Sequence, residues 1–512
     1  MSDLEATLPA GSGGAAAPVR AHHKGLILFV LGISQLMLIL DASIVNVALF
    51  DIRTDLGVAS NADLQWIVTG YTLAFGGFLL LGGKLADRLG RRMIFVVGAF
   101  LFALASLLGG FANNLGFLIA ARALQGVGGA MMAPAALSLL TVVFEEGPER
   151  NRAFGVWAAI SAGGGAIGLI LGGFLTEYAS WRWVLFVNVP IAVFAIWGAL
   201  RYVPENRDER AQGFDVPGAV LATAGLIALV YGLVEGNNVG WGSTQTILTL
   251  GLAVVLLVAF LVLQARGRYP LLPLSLFRSR SLLGANLGGV LIAGGMFSLF
   301  FFVVLWMQQI NGWTPLQSGL AFLPVTVGIG VGAAISSNLL SRIGPRPLVI
   351  VGPVMAGLGL VMLGIWLEPG SSYVGLILPA ILMLSVGMGV TFPALTSAAV
   401  SGIAPENSGI ASAVLNTSQQ VGGSVGIAVL IAVTTGRTDA NLEALPGGVP
   451  AMTPAGIPAD PVAMPAYFGA VVDGWGLGLV VGGCFIIAAA IVMGATVRMR
   501  AIDVKAPGTA MH

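Results

Sequence analysis

The stretch GLILFVLGISQLMLILDASIVNVAL, Gly25–Leu49, decides the fold of this chain. As a helix, this apolar run is long enough to cross the hydrocarbon core of a bilayer, which is about 30 Å thick. Asp41 is its only charged residue after Lys24. A carboxylate at membrane depth costs roughly 3 kcal/mol unless it is paired, protonated or exposed to water. We therefore expect Asp41 to take part in handling an ion or a substrate.

The composition extends this conclusion to the whole chain. Of the 512 residues, 57% are hydrophobic and 9% are charged, whereas about a quarter of the residues in a soluble domain are charged. Apolar runs of about 20 residues recur along the sequence, as transmembrane helices require. The runs lack the alternation typical of outer-membrane barrels. We predict an all-α membrane protein with fourteen transmembrane helices.

The distribution of basic residues orients these helices. With the amino terminus in the cytoplasm and alternating helices, the outer side holds Arg53, Arg182 and Arg437, and Arg122 lies within a helix. The other twenty of the 24 Lys and Arg residues fall on the cytoplasmic side. Basic residues are enriched in cytoplasmic loops, so we expect both termini to be cytoplasmic.

An internal repeat indicates two related halves. GKLADRLGRR (Gly83–Arg92) follows the second apolar run, and NLLSRIGPRP (Asn338–Pro347) follows the tenth. Their alignment pairs arginines and a glycine, although Ser341 stands opposite Asp87. Transporters built from repeats bind substrate near midplane, between the repeats.

The domain boundaries follow from this repeat. We expect two pseudo-symmetric six-helix bundles with two additional helices inserted between them. The predicted segments are a disordered cytoplasmic tail at 1–24, the N-terminal bundle at 25–204, the inserted helices at 205–269, the C-terminal bundle at 270–497 with an external loop at 436–466, and a cytoplasmic tail at 498–512.

Six sequence blocks resemble the major facilitator superfamily, and within it the fourteen-helix drug:proton antiporter family. They are Leu40–Leu49, Gly83–Arg92, Arg122–Gly126, Trp181–Pro190, Gln309–Pro324 and Asn416–Gly426. The resemblance implies proton-coupled export of hydrophobic or amphipathic drugs, such as antibiotics, by alternating access in the inner cell membrane. The family's fifth-helix signature contains a proline, but this chain has Leu169 in GLILGG.

Asp41 and Arg122 are the predicted proton-coupling residues. Counted at 1.5 Å per residue from the outer ends of their helices, they lie at similar depth, about 10–12 Å below the outer surface. Desolvation favours a protonated carboxyl group, and a nearby cation favours the charged form. A movement that weakened this pairing would therefore change the protonation of Asp41. Two alternatives remain open: a static pair that orients two helices, and an unpaired role of Asp41 lining the cavity.

The loop between the second and third helices is the predicted gating element, and it contains Gly83, Asp87, Arg88, Gly90, Arg91 and Arg92. Asp87 would interact favourably with the N-terminus of a neighbouring helix. The resemblance implies that such contacts latch the cytoplasmic gate. Plain anchoring by basic residues is the alternative.

Glycines and polar residues supply the remaining candidates. Gly164, Gly168 and Gly172 share one helix face and, with the adjacent Gly173, predict close helix packing, either sliding or permanent. Asn416 and Gln420 share a face at i, i+4 spacing. The candidate cavity residues are Gln35, Gln65, Trp66, Tyr71, Phe301, Trp306, Gln308, Asn416 and Gln420.

Other classes of function fit the sequence less well. It contains no phosphate-binding P-loop. Gly422–Gly426 matches the G-x-S-x-G pattern of hydrolases, but it lies in a predicted membrane helix and not at the strand-to-helix turn that this pattern requires. We expect no enzyme activity, no cofactor, no metal site and no nucleic-acid partner. The expected partners of a monomeric chain are the lipid bilayer, a small hydrophobic or amphipathic substrate, and protons. The alternatives are an uncoupled or uptake transporter of a metabolite, lipid or siderophore, and a non-transporting membrane sensor.

Overall fold

The computed structural model describes residues 21–497, apart from 59–60, 146–147, 208–214, 268–269, 402, 404–407, 446–449, 451–459 and 461. The described residues form helices and no β-strands. The α-helices are α1 Ala21–Leu56, α2 Asn61–Leu89, α3 Arg91–Gly110, α4 Leu115–Val143, α5 Pro148–Tyr178, α6 Trp183–Phe186, α7 Asn188–Tyr202, α8 Val216–Val239, α9 Thr244–Arg266, α10 Arg280–Ser298, α11 Pro315–Ala321, α12 Leu323–Ile343, α13 Pro345–Trp366, α14 Leu378–Val400, α15 Ser408–Glu443 and α16 Met464–Thr496.

Short segments of other helical types complete the chain. Leu274–Arg278 is a 3₁₀ helix, and Leu299–Val303, Trp306–Ile310 and Tyr373–Ile377 are π-helical. The first two π segments continue α10, so that Arg280–Ile310 is one apolar span. π-helical turns occur frequently at functional sites.

The helical membrane fold is confirmed by the lengths and composition of these helices. In the described part of the chain, 12 helices could cross a membrane, or 13 if the bent helix α2 counts as one span. In α5, the segment Ile167–Tyr178 is a shorter apolar helix. The count of fourteen therefore stays a prediction, whereas the multi-pass membrane protein is established.

The helices pack in two groups. In the first, α1 packs against α5 and α7, and α4 packs against α2 and α3. In the second, α10 packs against α15 and α16, α13 against α14 and α16, and α12 against α14. We call these groups the N half (α1–α7) and the C half (α10–α16), and the domain boundaries remain our proposal.

Some boundaries differ from the sequence-based expectation. α1 begins at Ala21, so residues 21–24 belong to a helix and not to the tail. α15 continues to Glu443 and α16 begins at Met464, which shortens the external loop predicted at 436–466. The tails at 1–20 and 498–512 lie outside the described residues.

The four glycines of α5 that were predicted to pack closely have two different partners. A Cβ atom at Gly164 would lie 3.1 Å from the Ile39 side chain, and Cβ atoms at Gly168 and Gly172 would meet the backbone of α1. Gly173 instead faces the C half, where a Cβ atom would lie 2.6 Å from Leu316 Cα. Three glycines therefore join helices within the N half, and the fourth joins the two halves.

The two halves meet at the predicted outer end. There α5 crosses α11, and a Cβ atom at Gly319 of α11 would collide with the carbonyl oxygen of Leu169. Polar contacts lie at the same end: Glu177 Oε2 accepts from Leu316 N at 3.1 Å, and Gln308 Nε2 donates to Val47 O at 2.9 Å. Backbones this close leave no room for side chains, so the outer end is closed.

At the predicted cytoplasmic end the halves have separate cores. One apolar core combines the C half with the outer part of the N half, for example Ile44 with Phe322. A second core, which includes Phe95 and Leu139, belongs to the cytoplasmic part of the N half alone. The apolar cores of the two halves are therefore joined at the outer end and separate at the cytoplasmic end.

The inserted helices lie against the join between the halves. α8 packs against α2 of the N half, α15 of the C half, and α9. Val230 and Val234 of α8 belong to the core shared by both halves. α9 is mostly exposed apolar surface, with 11% of its apolar window buried, so its outer face is suited to lipid.

We expect Gly319→Val to open the outer end. Its side chain would collide with the Leu169 carbonyl region, and overpacking of this kind costs about 1–3 kcal/mol. A spin-label distance between α5 and α11 should become longer and broader in this variant. Gly330→Val on α12, where nothing lies within 4 Å of the added Cβ, serves as the control. Unchanged distances in Gly319→Val would contradict a closed outer end.

Candidate functional site: a buried ion pair in the N half

Asp41 and Arg122 form a direct ion pair inside the N half. Arg122 Nη1 donates to Asp41 Oδ2 at 2.6 Å. Asp41 is 0% exposed and Arg122 is 1% exposed. A buried pair of this kind is stable only when further hydrogen bonds satisfy both charges.

Two amide side chains complete the coordination of Asp41. Gln125 Nε2 donates to Asp41 Oδ1 at 3.1 Å, and Asn188 Nδ2 donates to the same oxygen at 2.8 Å. Gln125 also donates to Ser106 Oγ at 2.7 Å. The carboxylate therefore accepts three hydrogen bonds, one of them charge-assisted by a guanidinium.

Close packing of α2 and α4 places the guanidinium. A Cβ atom at Gly126 would collide with the carbonyl oxygen of Tyr71, so glycine is required for this approach. One turn earlier on both helices, Arg122 Nε donates to Ile67 O at 3.1 Å. The Tyr71 ring lies under the guanidinium, 4.5 Å from Arg122 Cζ, in a cation–π contact.

The burial of the pair has a chemical consequence. With both side chains shielded from solvent, Asp41 cannot exchange a proton with bulk water in this form of the protein. Exchange requires a movement that separates the pair or admits water. A site of this kind can couple protonation to conformation, and it can also act as a fixed link between α1 and α4.

Reasoning from sequence did not select Gln125, Asn188 or Ser106 as site residues. Gln125 is three residues after Arg122 and so lies on the same helix face. Asn188 is 0% exposed and belongs to the block Trp181–Pro190. A signal was present in both cases, because each is an uncharged amide within an apolar run.

Two of the predicted cavity residues lie on the face of α15 that meets α2. Thr72 Oγ1 of α2 and Ser424 Oγ of α15 are 2.6 Å apart, and one turn towards the cytoplasm Gly76 faces Gln420, which is half-buried. One further turn along the same face of α15, Asn416 is exposed. Asn416 is thus exposed on the cytoplasmic side of the contact between α2 and α15. Gln35 of α1 is half-buried.

The other predicted cavity residues have different surroundings. Phe301 and Trp306 are each 1% exposed and lie in the apolar core, not on an open wall. Trp66 packs on Tyr231 of α8 at 6.3 Å between ring centroids. A cavity-lining role of these three residues stays a prediction, because periodicity does not show which face of a fully apolar helix meets the neighbouring helix.

The remaining members of the predicted set are also buried. Tyr71 belongs to the ion-pair site through its contact with Arg122. Gln308 links the halves at the outer end. Gln65 is 0% exposed, and neither of its polar atoms makes a hydrogen bond.

The predicted gating loop is a tight junction between α2 and α3. Asp87 Oδ1 pairs with Arg91 Nη2 at 2.9 Å, instead of with the N-terminus of a neighbouring helix. The carboxylate at a helix N-terminus is instead that of Glu205, which follows α7. It accepts from the backbone N–H groups of Arg92 and Met93 in the first turn of α3, each at 3.1 Å. Such a carboxylate stabilises the helix N-terminus.

The other loop residues fit this junction. Gly90 has φ 122°, and a Cβ atom there would lie 2.6 Å from Glu205 Oε1. Arg92 Nη1 donates to Val203 O at 3.2 Å, Arg88 is exposed, and Gly83 faces Pro134 at 3.5 Å. The role of this loop as a latch of the cytoplasmic gate therefore stays a prediction, and it applies to a form of the protein that is closed at the cytoplasmic end.

The second copy of the repeat forms the same kind of junction. Gly344, aligned with Gly90, has φ 76° and lies between α12 and α13. Arg346 Nε donates to Gly494 O at 3.1 Å.

Among the described residues, no group of three or more His, Cys, Asp or Glu is placed to hold a metal ion.

Comparison with known proteins identifies the family. The model of the Major Facilitator Superfamily matches residues 31–427. The puromycin resistance protein of Streptomyces alboniger is 43% identical over 82% of this chain and 83% of its own length. The cephamycin export protein of Amycolatopsis lactamdurans is 40% identical over 77% of this chain and 82% of its own length.

A solved structure shows the same fold. A bacterial homologue of the human lysosomal transporter Spinster, in an inward-facing and unoccupied conformation, matches with a TM-score of 0.63 and 16% identity over 96% of this chain and 99% of its own. The chain belongs to the Major Facilitator Superfamily. It is a membrane transporter and not an enzyme.

We expect Arg122→Leu to destabilise the protein strongly. It leaves Asp41 buried without its cation, and breaking a buried pair costs about 3–5 kcal/mol. The double variant Asp41→Leu/Arg122→Leu should recover part of that loss, because no unpaired charge remains. Thermal unfolding in detergent measures both effects. A double variant less stable than Arg122→Leu would contradict the importance of this pairing.

Gly90→Ala should destabilise the α2–α3 junction. The backbone conformation at Gly90 is strained for any other residue, at a cost of about 1–3 kcal/mol, and the new methyl group would displace Glu205. A lower unfolding temperature in detergent is the expected result. Gly251→Ala on α9, with nothing within 4 Å, is the control. Equal unfolding temperatures for the two variants would contradict this account of Gly90.

Proposed function

We propose that this chain exports hydrophobic or amphipathic drugs, antibiotics among them, in exchange for protons by alternating access. The observation that carries the proposal is the Asp41–Arg122 pair, with both residues 0–1% exposed and joined at 2.6 Å. An ionisable group that is buried in a membrane protein and paired is expected to have a function. Proton uptake by Asp41 would remove its charge and weaken the pair.

The arrangement of the halves supports alternating access. Gly173 and Leu316 hold the halves together at the predicted outer end, and Asn416 is exposed towards the predicted cytoplasmic end. In this form a substrate would enter from the cytoplasm. The outward-facing form would separate α5 from α11 and bring the α2–α3 junction towards the C half.

The relatives support the substrate class and the direction. A puromycin resistance protein and a cephamycin export protein match about four fifths of this chain. Among the described residues, the buried interior is mostly apolar and its charged side chains are one carboxylate and one guanidinium, which suits amphipathic organic molecules. We further propose that the protein acts as a monomer in the inner cell membrane with both termini in the cytoplasm.

Asp41→Asn should abolish proton-driven export. In a pump-deficient bacterial host, a panel of antibiotics should separate wild type from this variant, because an uncharged amide cannot take up a proton. In proteoliposomes with an imposed pH gradient, we expect the initial rate to fall about tenfold or more, equal to about 1.4 kcal/mol.

The control for this experiment is Asp460→Asn, which removes an exposed carboxylate near the start of α16. It should retain resistance and transport. Export that persists after the gradient has collapsed would favour an uncoupled transporter. Full transport by Asp41→Asn would overturn proton coupling at this site. Protein that binds the antibiotics but moves none would indicate a sensor.

A further inference from the structure

Among the described residues, the hydrogen-bond partners of the Asp41 oxygen atoms are all donors. Oδ2 accepts from Arg122, and Oδ1 accepts from Gln125 and Asn188. This arrangement suits a carboxylate, which only accepts hydrogen bonds. A protonated carboxyl group also donates, and its O–H on Oδ1 would point at two N–H groups. Proton uptake therefore requires one neighbour to offer an acceptor.

Two of the three neighbours cannot offer one. Arg122 has no acceptor atom. Gln125 is fixed at both ends, because its Oε1 accepts from Arg122 Nη1 at 2.9 Å and its Nε2 donates to Ser106 Oγ at 2.7 Å. If the Gln125 amide turned over, its N–H groups would face the N–H groups of the guanidinium.

Asn188 is the neighbour that is free to turn. Its side chain is 0% exposed, yet its Oδ1 makes no hydrogen bond. A buried carbonyl oxygen without a partner is uncommon in proteins. Half a turn about the Cβ–Cγ bond exchanges Oδ1 and Nδ2 with little change of shape, and breaks only the bond to Asp41.

We infer that Asn188 is a positioning residue whose amide turns over when Asp41 takes up a proton, so that its Oδ1 accepts from the new Asp41 O–H. The inference rests on the proposed proton exchange. The proton comes from hydronium in the water of the open side, forms an O–H bond at Asp41 Oδ1, and returns to water when the site opens on the other side. The O–H bond of hydronium breaks as the O–H bond of Asp41 forms, and no other covalent bond changes.

Infrared difference spectroscopy of the full chain in lipid vesicles tests this inference. On acidification, a carboxylic C=O band should appear in wild type and not in Asp41→Asn, which assigns it to Asp41. A side-chain amide C=O band should shift to lower frequency at the same pH. ¹³C-labelled asparagine identifies that band as an asparagine in the wild-type chain, without any substitution.

Asn188→Leu should remove the amide shift. It should also change the frequency of the Asp41 carboxylic band, because the protonated carboxyl group loses the Asn188 oxygen as its acceptor. Asn286→Leu is the matched control. Asn286 is a buried asparagine of the C half, bonded to Leu282 O at 2.8 Å and to Ser418 Oγ at 2.7 Å. This control should retain both bands at the wild-type pH.

The possible failures can be distinguished. An Asp41 band that titrates in wild type without an asparagine shift would overturn the inference and leave proton coupling intact. An amide shift that persists in Asn188→Leu would do the same. If no carboxylic band depends on Asp41 at any pH, the proposed proton coupling fails and the inference fails with it.

Discussion

A charged hydrogen bond that water cannot reach constrains the whole N half. The guanidinium of Arg122 must lie against Asp41, and this holds α4 against α1. Its remaining donors must also be satisfied, and one of them is satisfied by the backbone of α2. That contact requires two helices to approach as closely as Gly126 allows. The hydrogen bonds of Arg122 and the close packing of α2 against α4 therefore depend on each other.

Close approach through glycine has two uses in this molecule. Gly164 and Gly172 join α5 to α1 inside one half, whereas Gly173, the next residue after Gly172, touches α11 of the other half. Contacts without interlocking side chains can form and separate without rearranging rotamers. In this structure one helix therefore packs closely within its own bundle and also contacts the other half.

The sequence predicted the helical membrane fold and the two charged residues that the structure pairs, because Asp41 and Arg122 stand out against an apolar background. It did not predict the polar shell. Gln125 of α4 and Asn188 of α7 donate hydrogen bonds to Asp41. These contacts depend on how each helix is rotated about its axis. Hydrophobic periodicity does not give that rotation when a helix is apolar on every side. The same limit explains Phe301 and Trp306, whose orientation follows from π-helical turns.

The position of α8 gives the molecule two unlike flanks. On one flank α8 covers the line where α2 meets α15, and its Val230 and Val234 are part of the common core. On the other flank α5 meets α11 and α12 without an inserted helix between them. Acyl chains can therefore approach the interior more closely beside α5 than beside α2.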